Sequence, residues 1–286
     1  MTRGLDHIVH AVADLDGAAQ IYRQLGFTVG ARNKHPWGTH NHIVQLPGFF
    51  IELLTLAEPD KMTGDVFSEK FGAYNRDFVR RGDGLSMLVL ESQSAKDDEA
   101  AFRSAGIAAS AATRFDREGK KPDGTPVKVA FTLAFATDKQ APDASYFTCQ
   151  QHYPENFWNP AFQNHANGVT GVAGVVLVAD APVQHREFLL AYSGATATRG
   201  ERDGFSIDLP RGAIGVVTPA AFRERFGQHP PVTERGPRLA ALRFKAGDPA
   251  TAGALLEQAG IFSTPLKSGA VSVSVLGATL IFEPAA

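Results

Sequence analysis

Short apolar stretches recur along the chain, each at a matching distance from a glycine. Four of them begin like strands: GLDHIVHAVADL, GLSMLVLESQSA, GVAGVVLVADAP and RLAALRFKAGDP, which start at Gly4, Gly84, Gly171 and Arg238. A helix start follows each run, with the N-cap residues Asp14, Ser94, Asp180 and Asp248. Each helix is predicted to end at a glycine that lies 22, 22, 23 and 22 residues after the start, namely Gly26, Gly106, Gly194 and Gly260.

The repeat predicts a β-α-β-β-β module, present in four copies. The fold class is therefore α+β, with the modules paired into two cupped mixed sheets. We expect one pair over Gly4–Pro160, which holds the functional cup, and a degenerate pair over Gly168–Ala286. The polar segment Asn156–Gly168 is predicted to link them, and the insertions Asp60–Arg81 and Arg117–Pro126 are predicted to be loops.

Composition narrows the class of protein further. The chain has 286 residues, a net charge of −2, 44% hydrophobic residues and a single cysteine. These values exclude an intramolecular disulfide and a four-thiolate zinc site, and they give no reason to expect binding to nucleic acid or membrane. The sequence has no signal peptide, no membrane span and no phosphate-binding glycine motif, so we expect a soluble cytoplasmic protein without a nucleotide cofactor.

Two segments resemble a known superfamily. The stretch LDHIVHAVADLDGAAQIYRQLGFTV resembles the opening of modules in the vicinal oxygen chelate superfamily, which contains glyoxalases, extradiol dioxygenases, epimerases and antibiotic-resistance proteins. The stretch HPWGTHNHIVQLPGFFIELLTL is similar to the glyoxalase-like domain branch, in which Gly-Thr-x-Asn precedes a strand containing Ile-Glu. The resemblance covers about Leu5–His165.

The resemblance implies a metal centre. Modules of that superfamily offer ligands on their first and fourth strands, and in the first module these positions fall on His7 and Glu52. Zinc, nickel, manganese or ferrous iron would suit imidazole and carboxylate ligands. The second module has Met87 and Cys149 at the matching positions, so a third ligand must come from elsewhere. The first choice for this ligand is His152, and the other candidates are Gln151, His42, His40 and Glu283.

The register of two strands decides which side chains enter the cup. A gap-free alignment puts Cys149 opposite Glu52 with Gln151 on the same face, whereas a shift of one residue turns His152 inward. His40 and His42 share a face of their predicted strand. We expect them to line the cup and to bind substrate together with three other side chains, those of Trp37, Cys149 and Gln151. Asn41 should face the other way.

Three functions follow from the resemblance. The first is a metal-assisted lyase or isomerase that acts on a small oxygenated substrate, with Glu52 moving a proton. The alternative is a metal-free protein of the bleomycin-resistance type that binds or sequesters a small aromatic molecule. The third choice is an extradiol-type dioxygenase with ferrous iron. In each case the second pair of modules has a structural role, as a lid or as the surface of a homodimer.

Overall fold

Each apolar run that opens a repeat becomes a central strand of a sheet. The computed structural model describes residues 1–120 and 124–285. Strands in the first half are β1 (Leu5–Ala11), β2 (Asn33–Lys34), β3 (Thr39–Leu46), β4 (Phe49–Leu56), β5 (Gly84–Glu91), β6 (Thr113–Lys120), β7 (Pro126–Ala136) and β8 (Ser145–Gln151). Strands in the second half are β9 (Val169–Val178), β10 (Arg199–Glu201), β11 (Gly204–Asp208), β12 (Ala213–Val217), β13 (Arg238–Ala246), β14 (Thr264–Pro265), β15 (Val271–Val275) and β16 (Ala278–Pro284).

The two halves repeat one sheet topology. The first eight-stranded sheet has the order β2-β3-β4-β1-β5-β8-β7-β6, and the second has the order β10-β11-β12-β9-β13-β16-β15-β14. In both sheets the opening strands of two modules pair antiparallel at the centre, as β1 with β5 and β9 with β13. The predicted fold of repeated modules paired into two mixed sheets is confirmed.

Helices follow the opening strands at the predicted places. They are α1 (Leu15–Gln24), α2 (Tyr74–Val79), α3 (Ala95–Ser104), α4 (Pro154–Phe157), α5 (Arg186–Ser193), α6 (Pro219–Phe226) and α7 (Pro249–Gln258). Short 3-10 turns cover Pro59–Lys61, Pro160–Gln163 and Pro182–His185, and a π-helical turn covers Ser68–Ala73. Among the described residues, no helix has both the length and the apolar character needed to cross a membrane.

Most of the predicted helix ends are confirmed. Asp14, Ser94 and Asp248 accept hydrogen bonds from backbone N–H groups in the first turns of α1, α3 and α7. Positive φ angles occur at all four predicted glycines: Gly26, Gly106, Gly194 and Gly260. The prediction for Asp180 is wrong, because its carboxylate accepts a hydrogen bond from Thr233 instead, and the Pro182–His185 turn precedes α5.

The insertions are more ordered than the sequence predicts. Residues 60–81 contain the π-helical turn and α2 rather than a loop, and their buried aromatic side chains Phe67, Phe71 and Phe78 explain why this segment is held in place. Arg117 lies on strand β6, and Pro126 begins strand β7. The rest of that predicted loop includes residues 121–123, which are outside the described part of the chain.

The two sheets pack against each other through a shared core. The Tyr192 hydroxyl on α5 lies 2.7 Å from the carbonyl oxygens of both Leu88 and Phe147 in the first sheet, which share its one hydrogen. Phe27 packs on Phe244 of the second sheet, with ring centroids 5.4 Å apart. One continuous cluster of buried side chains joins both halves, so the face of each sheet toward this cluster is closed to solvent.

The opposite faces of the two sheets differ. In the second sheet this face packs against α6 through Ala221 and Phe222. In the first sheet it curls until opposite edges meet, since Trp37 before β3 and Phe115 on β6 have ring centroids 5.0 Å apart. The curl leaves a cavity inside the first sheet.

The turn between β15 and β16 in the second half lies close to the backbone of the first half. At Gly277 φ is +70°, and an added Cβ would lie 1.9 Å from the carbonyl oxygen of Asp83 in the first half. Gly277→Ala should therefore lose more stability to urea than the control Gly269→Ala, which has φ of +82° in open surroundings. The control should lose about 1–3 kcal/mol from backbone strain alone. Equal losses would contradict close packing of this hairpin against Asp83.

Candidate functional site

An aromatic cavity occupies the inside of the curled first sheet. It holds about 470 Å³ of space free of atoms, its open mouth included. Its walls are mostly aromatic, and a few polar side chains reach into it. The aromatic lining consists of Trp37, Phe50, Phe71, Phe115, Phe131, Phe147 and Phe157, and the polar lining consists of His7, His35, Asn41, Glu52, Arg117 and Cys149. A largely apolar cavity with few convergent polar groups is typical of a small-molecule site.

Parallel pairing of β1 with β4 brings His7 and Glu52 onto the same face. His7 is level with Phe50, and Glu52 is level with Val9, so the two polar side chains are diagonal neighbours rather than directly opposed. Both are buried and both line the cavity. Their placement in one cavity agrees with the geometry expected from the sequence, while their roles stay predictions.

Asp6 and His7 form a buried pair. The register between β1 and β5 shifts at this point, with one extra residue in β1 between Leu5 and His7. Such a bulge re-aims a side chain that strict alternation would send to the other face. Asp6 Oδ1 lies 2.5 Å from His7 Nδ1, and Asp6 Oδ2 accepts a hydrogen bond of 3.0 Å from Gln151 Nε2. When Nδ1 donates to the carboxylate, His7 Nε2 is left with its lone pair.

Glu52 has a different partner from the one expected. Without a metal, His7 would be the natural hydrogen-bond donor to Glu52, but Asn41 Nδ2 donates to Glu52 Oε1 at 2.5 Å and His7 Nδ1 contacts Asp6. Burial raises the pKa of Glu52, while the nearby charge of His7, the Asn41 hydrogen bond and the charge of Arg117 oppose this rise. The carboxyl group is therefore easier to keep protonated than an exposed glutamate.

His35 and Trp37 close one side of the cavity. Their rings are stacked with centroids 4.7 Å apart, and Trp37 stacks in turn on Phe67 of the first insertion at 4.6 Å. His35 Nδ1 lies 2.8 Å from Thr39 Oγ1. Burial lowers the pKa of His35 to about 3, and the charges of Arg117 and His40 act in the same direction, so this imidazole is neutral at neutral pH.

The expected positions of His40 and His42 are wrong. The pairing of β3 with β4 puts Ile43 level with Glu52, so Asn41 and Ile43 face the cavity and the two histidines face away. His40 Nε2 contacts Glu58 at 2.7 Å, and His42 Nδ1 contacts the carbonyl oxygen of Gly30 at 2.8 Å. Neither histidine can contact a ligand in the cavity, and Asn41 takes the position expected of them.

The gap-free register of β8 is the one the structure adopts. Cys149 is level with Leu133 and lines the cavity, and Gln151 lies on the same face and bonds Asp6. His152 points to the other face, where its Nε2 lies 2.7 Å from Thr132 Oγ1. The prediction of His152 as a metal ligand is therefore wrong. Trp37, Cys149 and Gln151 stay candidates for substrate binding.

Glu283 is also excluded from the cavity. It lies on β16 in the second sheet and forms a two-bonded ion pair with Arg243, at 2.7 and 2.9 Å. The opening strand of the fourth module pairs with that of the third module, not with β1. A site shared between modules one and four is therefore not formed.

The side chains that lie close enough together to hold a metal are not the set that the resemblance implies, since Glu52 is not among them. Within residues 1–120 and 124–285, the one group of three metal-binding side chains with atoms within 4.8 Å of one another is Asp6, His7 and Cys149. On distance alone this group is a candidate metal site. However, Asp6 and His7 are already bonded to each other. Burial raises the pKa of the Cys149 thiol well above its usual value, and the carboxylates Asp6 and Glu52 raise it further.

Two residues that line the cavity, His35 and Arg117, were not expected from the sequence, and neither was Asp6, which contacts the lining residue His7. A polar residue beside His7 gave a weak signal for Asp6, but only the bulge turns it toward the imidazole. The His-Pro-Trp sequence at residues 35–37 gave a signal for His35, because two ring side chains flank a proline there. Nothing in the local sequence of Arg117 separates it from Arg114, the other arginine of β6.

The shifted pKa of Glu52 makes stability depend on pH. A carboxyl group with a raised pKa in the folded state stabilises the fold fully below its unfolded pKa of about 4.3 and loses that contribution as pH rises toward the folded value. Glu52→Gln should therefore unfold at higher urea than wild type at pH 7, and the difference should vanish below about pH 4.

Glu58→Gln is the matched control, because the pKa of Glu58 is shifted in the opposite direction to that of Glu52. Hydrogen bonds from His40 and Lys61 lower the pKa of Glu58 to about 2, so this variant should be no more stable than wild type at pH 7. A Glu52→Gln variant that is less stable than wild type at neutral pH would show that Glu52 is needed as a carboxylate.

Comparison with known proteins agrees with this architecture. A family model described as a glyoxalase-like domain matches residues 5–192. No curated protein matches the chain in sequence. A hypothetical protein from Staphylococcus aureus is similar in structure, with a TM-score of 0.68, 14% identity and 99% of each chain covered.

Two further solved structures are similar over nearly all of this chain. A mutant 4-hydroxymandelate synthase from Streptomyces coelicolor has a TM-score of 0.58 and 11% identity, covering 98% of this chain and 92% of its own. A fusion of a xylose isomerase-like TIM barrel with 4-hydroxyphenylpyruvate dioxygenase has a TM-score of 0.52 and 14% identity, covering 99% of this chain and 48% of its own. These likenesses show the fold. The match of the family model over residues 5–192 establishes that the chain belongs to the glyoxalase-like domain family.

Proposed function

We propose that the protein is an isomerase- or lyase-type enzyme that moves a proton on a small carbonyl compound with an apolar, aromatic body. The observation that carries this proposal is the convergence of the Asp6–His7 pair and the buried Glu52 on one aromatic cavity. A base and an acid in different surroundings, facing one substrate-sized space, are the requirements of proton-transfer catalysis.

His7 is the proposed base. Its ring is held between Phe50, stacked at 4.2 Å, and Phe147, edge-on at 5.4 Å, so its orientation is fixed. Asp6 holds the Nδ1 side and would stabilise the imidazolium that forms when Nε2 takes a proton. An oriented histidine with a carboxylate behind it is a common arrangement for a general base.

Glu52 is the proposed acid. Its protonated form can donate a hydrogen bond to the substrate carbonyl while Asn41 holds the other oxygen. In the step, His7 takes a proton from the carbon next to the carbonyl, the C–H electron pair becomes the new C=C bond, and the carbonyl oxygen accepts the proton from Glu52. Return of a proton from His7 to the carbon, while Glu52 takes back the enol proton and the C=O bond re-forms, completes the reaction with no oxidant or reductant.

The aromatic walls set the class of substrate body. Flat rings on several sides favour an aromatic or planar unsaturated group. They also keep bulk water away from the charges that develop during proton transfer, which strengthens the hydrogen bond from Glu52. Divalent metals are common in this superfamily, but no step of the proposal passes through a metal, because His7 and Glu52 themselves supply the base and the acid.

Binding without catalysis is the second candidate function. The stacked series His35, Trp37 and Phe67 forms an extended aromatic surface that would hold a planar molecule without any proton transfer. Under this function His7 and Glu52 would serve only to orient the ligand. The two functions differ in one measurable respect, namely exchange of protons bound to carbon.

Deuterium exchange tests the proposed function. Butyrophenone and 3-benzoylpropionate each carry exchangeable protons beside an aryl ketone, and NMR in D2O would follow their loss against an enzyme-free control. Wild type should accelerate exchange, and His7→Ala should reduce this acceleration by about 10²–10⁴-fold, the usual contribution of a general base. Asp6→Asn should reduce it less, since the base itself remains.

His152→Ala is the matched histidine control, because its side chain lies on the other face of β8. It should exchange at the wild-type rate. Binding of either ketone by calorimetry without any exchange would favour the binding function over the enzyme. A loss in His152→Ala equal to that in His7→Ala would contradict the site assignment.

Chelation separates the proposed mechanism from a metal-assisted one. Protein dialysed against EDTA should keep its exchange activity and its affinity for butyrophenone, because Asp6, His7 and Gln151 bond one another without a metal. If activity is lost and zinc, nickel, manganese or ferrous iron restores it, the metal-assisted lyase or isomerase is the correct function. Ferrous iron acting alone would favour the dioxygenase.

A further inference from the structure

Arg117 is an arginine without a partner at the mouth of the cavity. Among the described residues it forms no hydrogen bond or ion pair, and its Nε atom is buried and unbonded. Two nearby cations are different, since Arg114 on β6 and Lys128 on β7 both pair with Asp116 on the outer face. A half-buried guanidinium without a partner is costly, so an unpaired arginine facing a cavity indicates a missing anion.

The surroundings of Arg117 exclude an internal partner. Glu52 lines the same cavity, but within the described part of the chain it forms no ion pair with Arg117, and its Oε1 is bonded to Asn41. Its charge favours the protonated form of Arg117, while burial lowers the pKa of the guanidinium. His35, the other titratable group on this side, is neutral. The carboxylates Asp116 and Glu118 alternate to the outer face of β6 and cannot reach into the cavity.

Arg117 also lies between two spaces. It lines the aromatic cavity and a second, outer pocket that shares Ile43 and Phe157 with it. A ligand whose ring lies between the aromatic walls would therefore place its outer end beside the guanidinium. The planar fork of arginine matches a carboxylate with two parallel hydrogen bonds, a geometry that a lysine ammonium cannot offer.

We propose that Arg117 binds the carboxylate of an aryl keto acid, so the natural ligand is an anion with an aromatic body. The inference rests on the proposed function only in taking this cavity as the ligand site. It adds a substrate class, because the proposed proton transfer needs a carbonyl but no carboxylate.

Calorimetric titration with a matched pair of ketones tests this inference. 3-Benzoylpropionate and butyrophenone differ in that a carboxylate replaces a methyl group. Wild type should bind 3-benzoylpropionate more tightly than butyrophenone. Arg117→Gln should weaken the binding of 3-benzoylpropionate roughly tenfold to a hundredfold, the range for hydrogen bonds to charged groups, and leave the affinity for butyrophenone unchanged. The affinity of Arg117→Lys for 3-benzoylpropionate should fall between those of wild type and Arg117→Gln.

Arg114→Gln is the control on the same strand, since its side chain pairs with Asp116 on the outer face. It should bind both ketones as wild type does, and thermal unfolding would verify that each variant is folded. Equal binding of 3-benzoylpropionate by wild type and Arg117→Gln would overturn the inference, as would a wild type that binds neither ketone. Selective carboxylate binding without deuterium exchange would uphold Arg117 and reject the proposed enzyme.

Discussion

The structure depends on burial of one face of each curved sheet against the other half of the chain. Tyr192 fixes this contact with its hydroxyl, whose one hydrogen is shared by two backbone oxygens of the first sheet. A phenol buried this deeply must bond its hydroxyl, and here the partners are in another module pair. Once the outer faces are covered in this way, the inside of each sheet is the surface left for a ligand or for packing.

Polar groups inside an apolar cup must be paired or uncharged, and this requirement explains the chemistry of the cavity. The second module carries Met87 and Cys149 where the first carries His7 and Glu52, so the cup has half of the polar positions that two equal modules would supply. The remaining groups are satisfied by other side chains: Asp6 and Gln151 around the imidazole, and Asn41 at the carboxyl. These hydrogen bonds satisfy the buried polar groups, as a metal ion bound by both modules would otherwise do.

The repeat was sufficient to predict the fold because the spacing between a strand start and a left-handed glycine is set by the length of one helix. The site was harder to predict because successive side chains of a strand point to opposite faces. The sequence must show which face is buried before a side chain can be assigned to the cup. In β3 both faces are buried, so hydrophobicity could not decide whether Asn41 or its flanking histidines entered the cup. In β1 a single bulge moved Asp6 beside His7, and nothing in the sequence marks a bulge there.

The second half shows how the same module can lose a cavity without losing the fold. Its inner face has small side chains on the central strands, such as Ala240 and Ala241, and α6 packs on them through Ala221 and Phe222. In the first half, the corresponding inner face instead has Phe131, Leu133 and Phe147, and the insertion at residues 60–81 adds aromatic side chains at the rim rather than a helix in the centre. Because bulky rings on a strongly curled sheet hold its walls apart, the first sheet retains an internal space, and the unbonded Nε of Arg117 and Nε1 of Trp37 belong to residues that line it.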